Sequence, residues 1–342
     1  MTNKTFKAAV LVQQNNNPPL SLQTLKEVEA QDGQVKVKMI SSGLCGAQVN
    51  EMSGVKGEDK YVPHLMGHEG YGKVISIGQG VKKVKTGDYV ILHWRPSKGS
   101  DVYGGTYINS DDQKIGSGPV TTFSEVTIVS ENRCTKVKPT SNMKLVYPLL
   151  GCALPTAYGA IKKEAKLKQD DNVFIYGAGG LGMALLFWCK VFNIDSVTVA
   201  DIHDKKKDQV KELNGKFIHI NDIKDLKDSY DCIFETTGYT GNVAQSLEIA
   251  NKLAKIILIG QTRINESVTF SNFLKFYDGI QIISSQGGLF DPDEDMQILC
   301  DYIETNSEEA LKLISHKIDL EDINYGFELM KTPDARRVII DF

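Results

Sequence analysis

The sequence predicts a two-domain α/β chain: a β-rich domain of antiparallel or barrel-like build, followed by a doubly wound parallel sheet. Three observations carry this. Residues 1 to about 130 break into short alternating or β-branched runs. From about Thr156 to Gln286, strands and helices alternate, the pattern of a parallel sheet with helices on both faces. A chain of 342 residues also exceeds one ordinary core.

In the first part, Phe6 to Val12, Val35 to Ile40, Gly72 to Ile77 and Tyr89 to Leu92 read as strands. Gly78-Gln79-Gly80 and Gly87-Asp88 punctuate them as turns. In the second part the candidate strands are 173–176, 196–201, 216–219, 231–235, 255–260 and 280–285. Further on, Asp291-Pro292-Asp293-Glu294 combines an N-cap, a first-position proline and first-turn acids, so a helix should run from there to about Glu304. Arg337-Val338-Ile339-Ile340 reads as a closing strand.

Val173 to Cys189 is the stretch with the sharpest chemistry. A short apolar strand runs into Gly177-Ala178-Gly179-Gly180-Leu181-Gly182, a G-x-G-x-x-G pattern, and an apolar helix follows directly. Glycines serve here for a tight turn, for close backbone approach to a pyrophosphate and for helix–strand packing. The helix N-terminus adds free N–H groups and a positive dipole end for that anion. Asp201 ends the next strand, 19 positions after Gly182, near the spacing of a ribose 2′-OH partner. Four glycines in six positions, with charged flanks, favour this reading over a membrane span.

With 41% hydrophobic and 24% charged residues, the composition is that of a soluble globular protein. A net charge of −4 leaves no electrostatic footprint for nucleic acid. No targeting or lipidation signal stands out, so the expectation is a cytoplasmic chain without a membrane partner. Six cysteines without a C-x-x-C pair suggest no disulfide framework.

Cys45, His68 and Cys152 are a second candidate constellation. Thiolate and imidazole suit zinc, and three protein ligands with an open fourth position define a catalytic site. The spacing alone does not decide between ligands and two buried thiols beside a satisfied loop histidine.

The motifs SGLCG, PHLMGHEGYGKVISIGQGVKKVKTGDYV, LGCALPTAYGA, YGAGGLG and INYGFELMKTPDARRVIIDF resemble the medium-chain zinc-dependent alcohol or polyol dehydrogenases over nearly the whole chain. The resemblance implies a GroES-like catalytic domain over 1–152 and an NAD-binding Rossmann domain over 153–287. A segment over 288–342 then returns to the catalytic domain. Position by position, Cys45, His68 and Cys152 match the catalytic zinc ligands, with Glu69 as the nearby acid that supports or transiently approaches the metal. Asp201 and Lys206 match the pair on the adenosine ribose. Thr156 matches a position on the nicotinamide side, and Arg337 one at the pyrophosphate. The family mechanism has zinc polarise the substrate oxygen while hydride passes to or from the nicotinamide. A homodimer or homotetramer is expected.

Departures from the family pattern are also legible. Leu92 to Val120 contains no cysteine, so one catalytic zinc and no structural zinc is expected. Ala47 and Asn50 stand where relay groups are common, and Gln48 replaces the usual acid behind the metal. Neither Ala47 nor Asn50 titrates, which leaves His93, His64 and Glu69 as candidates for the proton, His93 favoured. Arg95 with Lys98 reads either as a charged pair on a solvated loop or as a grip on an anionic substrate group, and Trp94 as a stacking face for a sugar. The first reading is a zinc- and NAD-dependent dehydrogenase for a polyol, sugar derivative or small alcohol. A zinc-free quinone or enoyl reductase and a non-catalytic nucleotide-binding protein are the alternatives.

Overall fold

The structure is a computed structural model and describes residues 4–342. The chain divides into two compact units: the residues up to Cys152 together with Asp291–Phe342, and Ala153–Phe290. The second unit runs past 287 to Phe290. The turn Gly287–Leu289 packs on the helix Ala153–Gly159, so closely that a Cβ on Gly159 would lie 1.8 Å from the Gly288 carbonyl oxygen.

In the first unit a six-strand path runs Cys134–Val137, Tyr89–Leu92, Gly70–Ile77, Gln34–Gly43, Arg337–Asp341, Ile314–Ile318, with Val126–Ser130 also paired to Gln34–Gly43. All its pairings are antiparallel except the last, between Ile314–Ile318 and Arg337–Asp341. A smaller sheet orders Ser21–Lys26, Thr5–Leu11, His64–Leu65. The β-branched runs produce this because branched side chains pack well on a pleated surface. Val35, Val37, Met39, Val74, Val90 and Leu92 form one buried cluster on the strands just named. The closing strand puts Ile340 opposite Ser42 and Ile339 opposite Gly43, immediately before Cys45. Ahead of it, Asp291 caps the helix Pro292–Thr305 by accepting from the Asp293 amide.

The second unit holds a six-stranded, all-parallel sheet in the order Lys216–His219, Val197–Asp201, Val173–Tyr176, Tyr230–Glu235, Ala250–Leu258, Gln281–Ser284. The central strand Val173–Tyr176 is buried throughout, as parallel strands covered on both faces must be. Phe174 packs edge-on against Tyr176 and Tyr230, with ring centroids 4.7 and 4.8 Å apart. The strand order reverses direction at Val173–Tyr176, which opens a crevice at its carboxyl end, the place where such sheets bind ligands. The glycine turn starts there.

Candidate active site

Three separate segments of the first unit bring Cys45, His68 and Cys152 together. Cys45 follows the strand Gln34–Gly43 and sits at the N-cap of the helix Gly46–Met52. His68 lies in the turn between His64–Leu65 and Gly70–Ile77. Cys152 ends the 3-10 turn Tyr147–Gly151. One ligand atom from each lies within 4.8 Å of the other two. Both cysteines are free thiols. His68 Nε2 is buried with no nitrogen or oxygen partner, the ring and the Cys45 thiol share a hydrogen bond, and Nδ1 meets the amide nitrogen of Gln48.

The ligand atoms of two cysteines and one histidine converge here, and the set S, S, N fits zinc with a fourth position left over. The two thiols share a hydrogen bond. Donation from Cys152 holds Cys45 well below the ordinary thiol range, against the opposing effect of burial. Cys45 and burial in turn push Cys152 well above it, so the pair retains one proton. The other four cysteines are buried elsewhere; burial pushes Cys189 and Cys300 up to about 12.

Glu69 and Arg337 form a buried ion pair through Oε1 and Nη2, with 0% and 6% of their side chains exposed. Although burial disfavours its charge, Glu69, Cys45 and Cys152 keep the Arg337 guanidinium protonated and raise its pKa. Glu69 is not among the clustered ligand atoms; its carboxylate is engaged by a guanidinium and acts on His68 and Cys152 from beside them. Arg337, expected at a pyrophosphate, has its guanidinium against Glu69 and close to the two sulfurs.

His93 is also corrected. It is 0% exposed, with Nδ1 2.7 Å from the Arg95 carbonyl and Nε2 2.9 Å from Thr135 Oγ1. The carbonyl requires Nδ1–H, so Nε2 accepts from the threonine hydroxyl and no proton is left to relay. Burial lowers its pKa to about 3. The consequence for stability has a definite sign. Below the unfolded value of about 6.5 the unfolded chain binds a proton that the folded ring refuses, so stability falls as pH drops from there towards 3. His93→Gln is expected to leave the pH–rate profile near neutrality unchanged and to flatten the acid limb of stability by up to about 1.4 kcal/mol per pH unit. Urea unfolding at pH 4, 5 and 7 checks this; an altered neutral pH–rate profile would restore the relay.

Nearby, Glu51, Asp59 and His64 also place ligand-type atoms within 4.8 Å of one another. His64 Nε2 is 2.7 Å from Asp59 Oδ2, and Nδ1 is 2.8 Å from the Leu65 carbonyl. The 2.7 Å contact is a direct hydrogen bond that engages His64 Nε2 and Asp59 Oδ2 with each other. Burial raises the Glu51 carboxyl. This cluster was not anticipated, since its members come from a helix, a loop and a strand. A cavity of about 470 Å3 lined by Gln14, Asn50, Glu51, Lys56, Asp59 and Tyr61 adjoins it. Arg95 lies 5.6 Å from the Trp94 ring centroid, and the Lys98 amide donates to Asp293.

In the second unit the glycine turn has the expected form. Gly177 has φ +93°, and a Cβ there would press on Thr236 and Thr237 at 2.9 and 2.8 Å. A Cβ on Gly182 would sit 1.8 Å from the Gly177 oxygen, so the helix Gly180–Val191 can start only with glycine at that point. Gly179 faces open space, which leaves its backbone approachable, and Leu181 lies in the first helical turn. Asp201 accepts from the Ala178 amide at 2.8 Å and the His203 amide at 3.0 Å, which ties the strand end to the turn. Lys206 is only 4% exposed, with its ammonium 3.3 Å from Gln209. Thr156 is buried in the helix Ala153–Gly159. Sequence reasoning missed Glu235, whose buried carboxylate accepts from the Thr237 and Gly238 amides and shapes the loop after its strand. An acid followed by Thr-Thr-Gly at a strand end was the available signal.

Residues 31–139 match the alcohol dehydrogenase GroES-like domain, and residues 180–304 match the zinc-binding dehydrogenase domain. Benzyl alcohol dehydrogenase from Acinetobacter calcoaceticus is similar in structure, with TM-score 0.85, 20% identity and 99% of each chain covered. So is an alcohol dehydrogenase zinc-binding domain protein from Burkholderia ambifaria, with TM-score 0.88, 18% identity and 99% coverage of each chain. The 2R,3R-butanediol dehydrogenase from Bacillus subtilis aligns at TM-score 0.80 and 20% identity, over 98% of this chain and 99% of that one. The fold is a GroES-like domain with a Rossmann-type domain, and the chain belongs to the medium-chain alcohol dehydrogenase family. It is an oxidoreductase of the alcohol dehydrogenase type. Among the described residues, no helix is long and apolar enough to cross a membrane.

Proposed function

We propose that the chain is a zinc- and NAD-dependent dehydrogenase that moves hydride between NAD(H) and a hydroxyl or carbonyl carbon of a small alcohol, polyol or sugar derivative. The observation that carries this is the convergence of one ligand atom each from Cys45, His68 and Cys152 within 4.8 Å of one another. When bound, zinc supplies Lewis acidity towards the substrate oxygen, and nicotinamide gives or takes the hydride. Cys45 and Cys152 as thiolates cancel the formal charge of a divalent ion, and neutral His68 completes a site able to tolerate an anionic substrate oxygen. The Glu69–Arg337 pair adds no net charge beside it. The turn from Gly177 to Gly182 and the helix that follows offer backbone N–H groups to the pyrophosphate.

Elemental analysis of protein purified without chelators tests this reading, with close to one zinc per chain expected. A ratio near two, or none, rejects it. Turnover over a panel of polyols, sugars and aldehydes then identifies the substrate class. Sedimentation analysis should find a homodimer or homotetramer.

Asp201 sets cofactor choice in this reading. Its carboxylate retains lone pairs for the ribose hydroxyls beyond the two backbone amides it already accepts from. A 2′-phosphate would bring a like charge against it. NAD is therefore expected to exceed NADP in kcat/KM by about tenfold to a hundredfold, the scale of one unsatisfied buried polar group. Equal efficiencies would remove Asp201 from this role.

A further inference from the structure

We propose that Gln48 holds His68 in the tautomer opposed to metal binding, so that zinc is held more loosely here than a carboxylate at position 48 would hold it. This deepens, and rests on, the zinc reading above. Gln48 is 0% exposed in the helix Gly46–Met52, and both ends of its amide are engaged. The Cys45 backbone N–H donates to Gln48 Oε1 at 2.9 Å. A backbone N–H only donates, so that contact decides which end of the amide is oxygen. The other end, Nε2 with its two hydrogens, meets His68 Nδ1. Nδ1 must then accept, and a neutral imidazole with an accepting Nδ1 carries its proton on Nε2. Nε2 is buried with no nitrogen or oxygen partner, in a ring that shares a hydrogen bond with the Cys45 thiol.

Zinc needs the opposite arrangement at this ring. The lone pair must be on Nε2, with Nδ1–H given to a carboxylate, carbonyl or water. Gln48 presents two donors where an acceptor is wanted. Loading the metal either turns the amide, which sets its NH2 against the Cys45 N–H, or sets the ring N–H against the amide N–H. Both outcomes leave buried donors facing each other. Gln48→Glu has the same shape with an acceptor at both ends, and satisfies Cys45 N–H and His68 Nδ1–H together. Gln48→Met keeps the length and removes both amide groups.

The experiment is a Zn2+ titration of chelator-stripped protein against a chromophoric chelator, with Co2+ thiolate charge-transfer absorption to verify that the two cysteines ligate. ¹⁵N NMR of the histidine rings in the stripped wild type reports the tautomer. The expected results are a His68 proton on Nε2 in the wild type and zinc binding tighter by roughly tenfold to a hundredfold in Gln48→Glu, the scale for partners of metal-ligating histidines. Gln48→Met should stay within about threefold of the wild type. A proton on Nδ1, an unchanged or weaker affinity in Gln48→Glu, or a tenfold loss in Gln48→Met overturns the proposal. If Gln48→Glu does not fold, the Met variant and the tautomer still decide. Wild type that takes up no zinc removes the zinc reading and this inference together; wild type that binds zinc while Gln48→Glu gains nothing removes the inference alone.

Discussion

Cys152→Ser is expected to lose its zinc and, with it, turnover by roughly 10³-fold or more. A Lewis acid contributes several kcal/mol to such a reaction, and each 1.4 kcal/mol is about tenfold in rate. Serine occupies nearly the same space, but its hydroxyl is a poor zinc ligand near neutral pH. Cys152 is absent from the apolar clusters of the first unit's core, so folding should be retained. The glycine turn and Asp201 lie in other elements, so NAD affinity should be retained as well. The measurements are zinc content, steady-state turnover and NAD binding followed by fluorescence. Full activity in Cys152→Ser would take the residue out of the site.

Arg337→Met should destabilise the first unit by about 3–5 kcal/mol, the usual result of leaving one charge of a buried pair alone. Glu69 is 0% exposed and lies close to the coupled thiols, so its stranded carboxylate gains no help from water. Adding Glu69→Gln removes the stranded charge and should recover most of the stability, a coupling that a double-mutant cycle in urea isolates. Equal losses from the double and the single variant would mean that Arg337 contributes by packing its stem rather than by charge.

The parallel sheet was legible because its strands are buried on both faces and therefore apolar from end to end, with glycines at fixed offsets after the first. Val173–Tyr176 and the turn behind it could be read from twenty residues. Cys45, His68 and Cys152 could not, since three segments far apart in the chain deliver one atom each; family resemblance joined them where spacing could not. The same limit explains His93. Strand parity tells which face a residue points to, but not that Thr135, 42 positions on, will engage its second nitrogen. Arg337 carried a stronger prior as an anion ligand than as the partner of an acid 268 positions earlier. Gln48 stood out as a departure, yet the direction of its amide depends on a backbone N–H that only the folded helix cap supplies.

The strand Arg337–Asp341 has a consequence for how the molecule is made. During synthesis Glu69 emerges long before Arg337, and the whole of Ala153–Phe290 is translated between them. Over that interval the nascent β-rich unit lacks both its closing strand and the counter-charge to a buried acid. The parallel-sheet unit is contiguous in sequence and can complete first, although it is second in the chain. Order of emergence and order of completion are thus reversed, and a stalled ribosome would expose a finished nucleotide-binding fold beside an unfinished catalytic one.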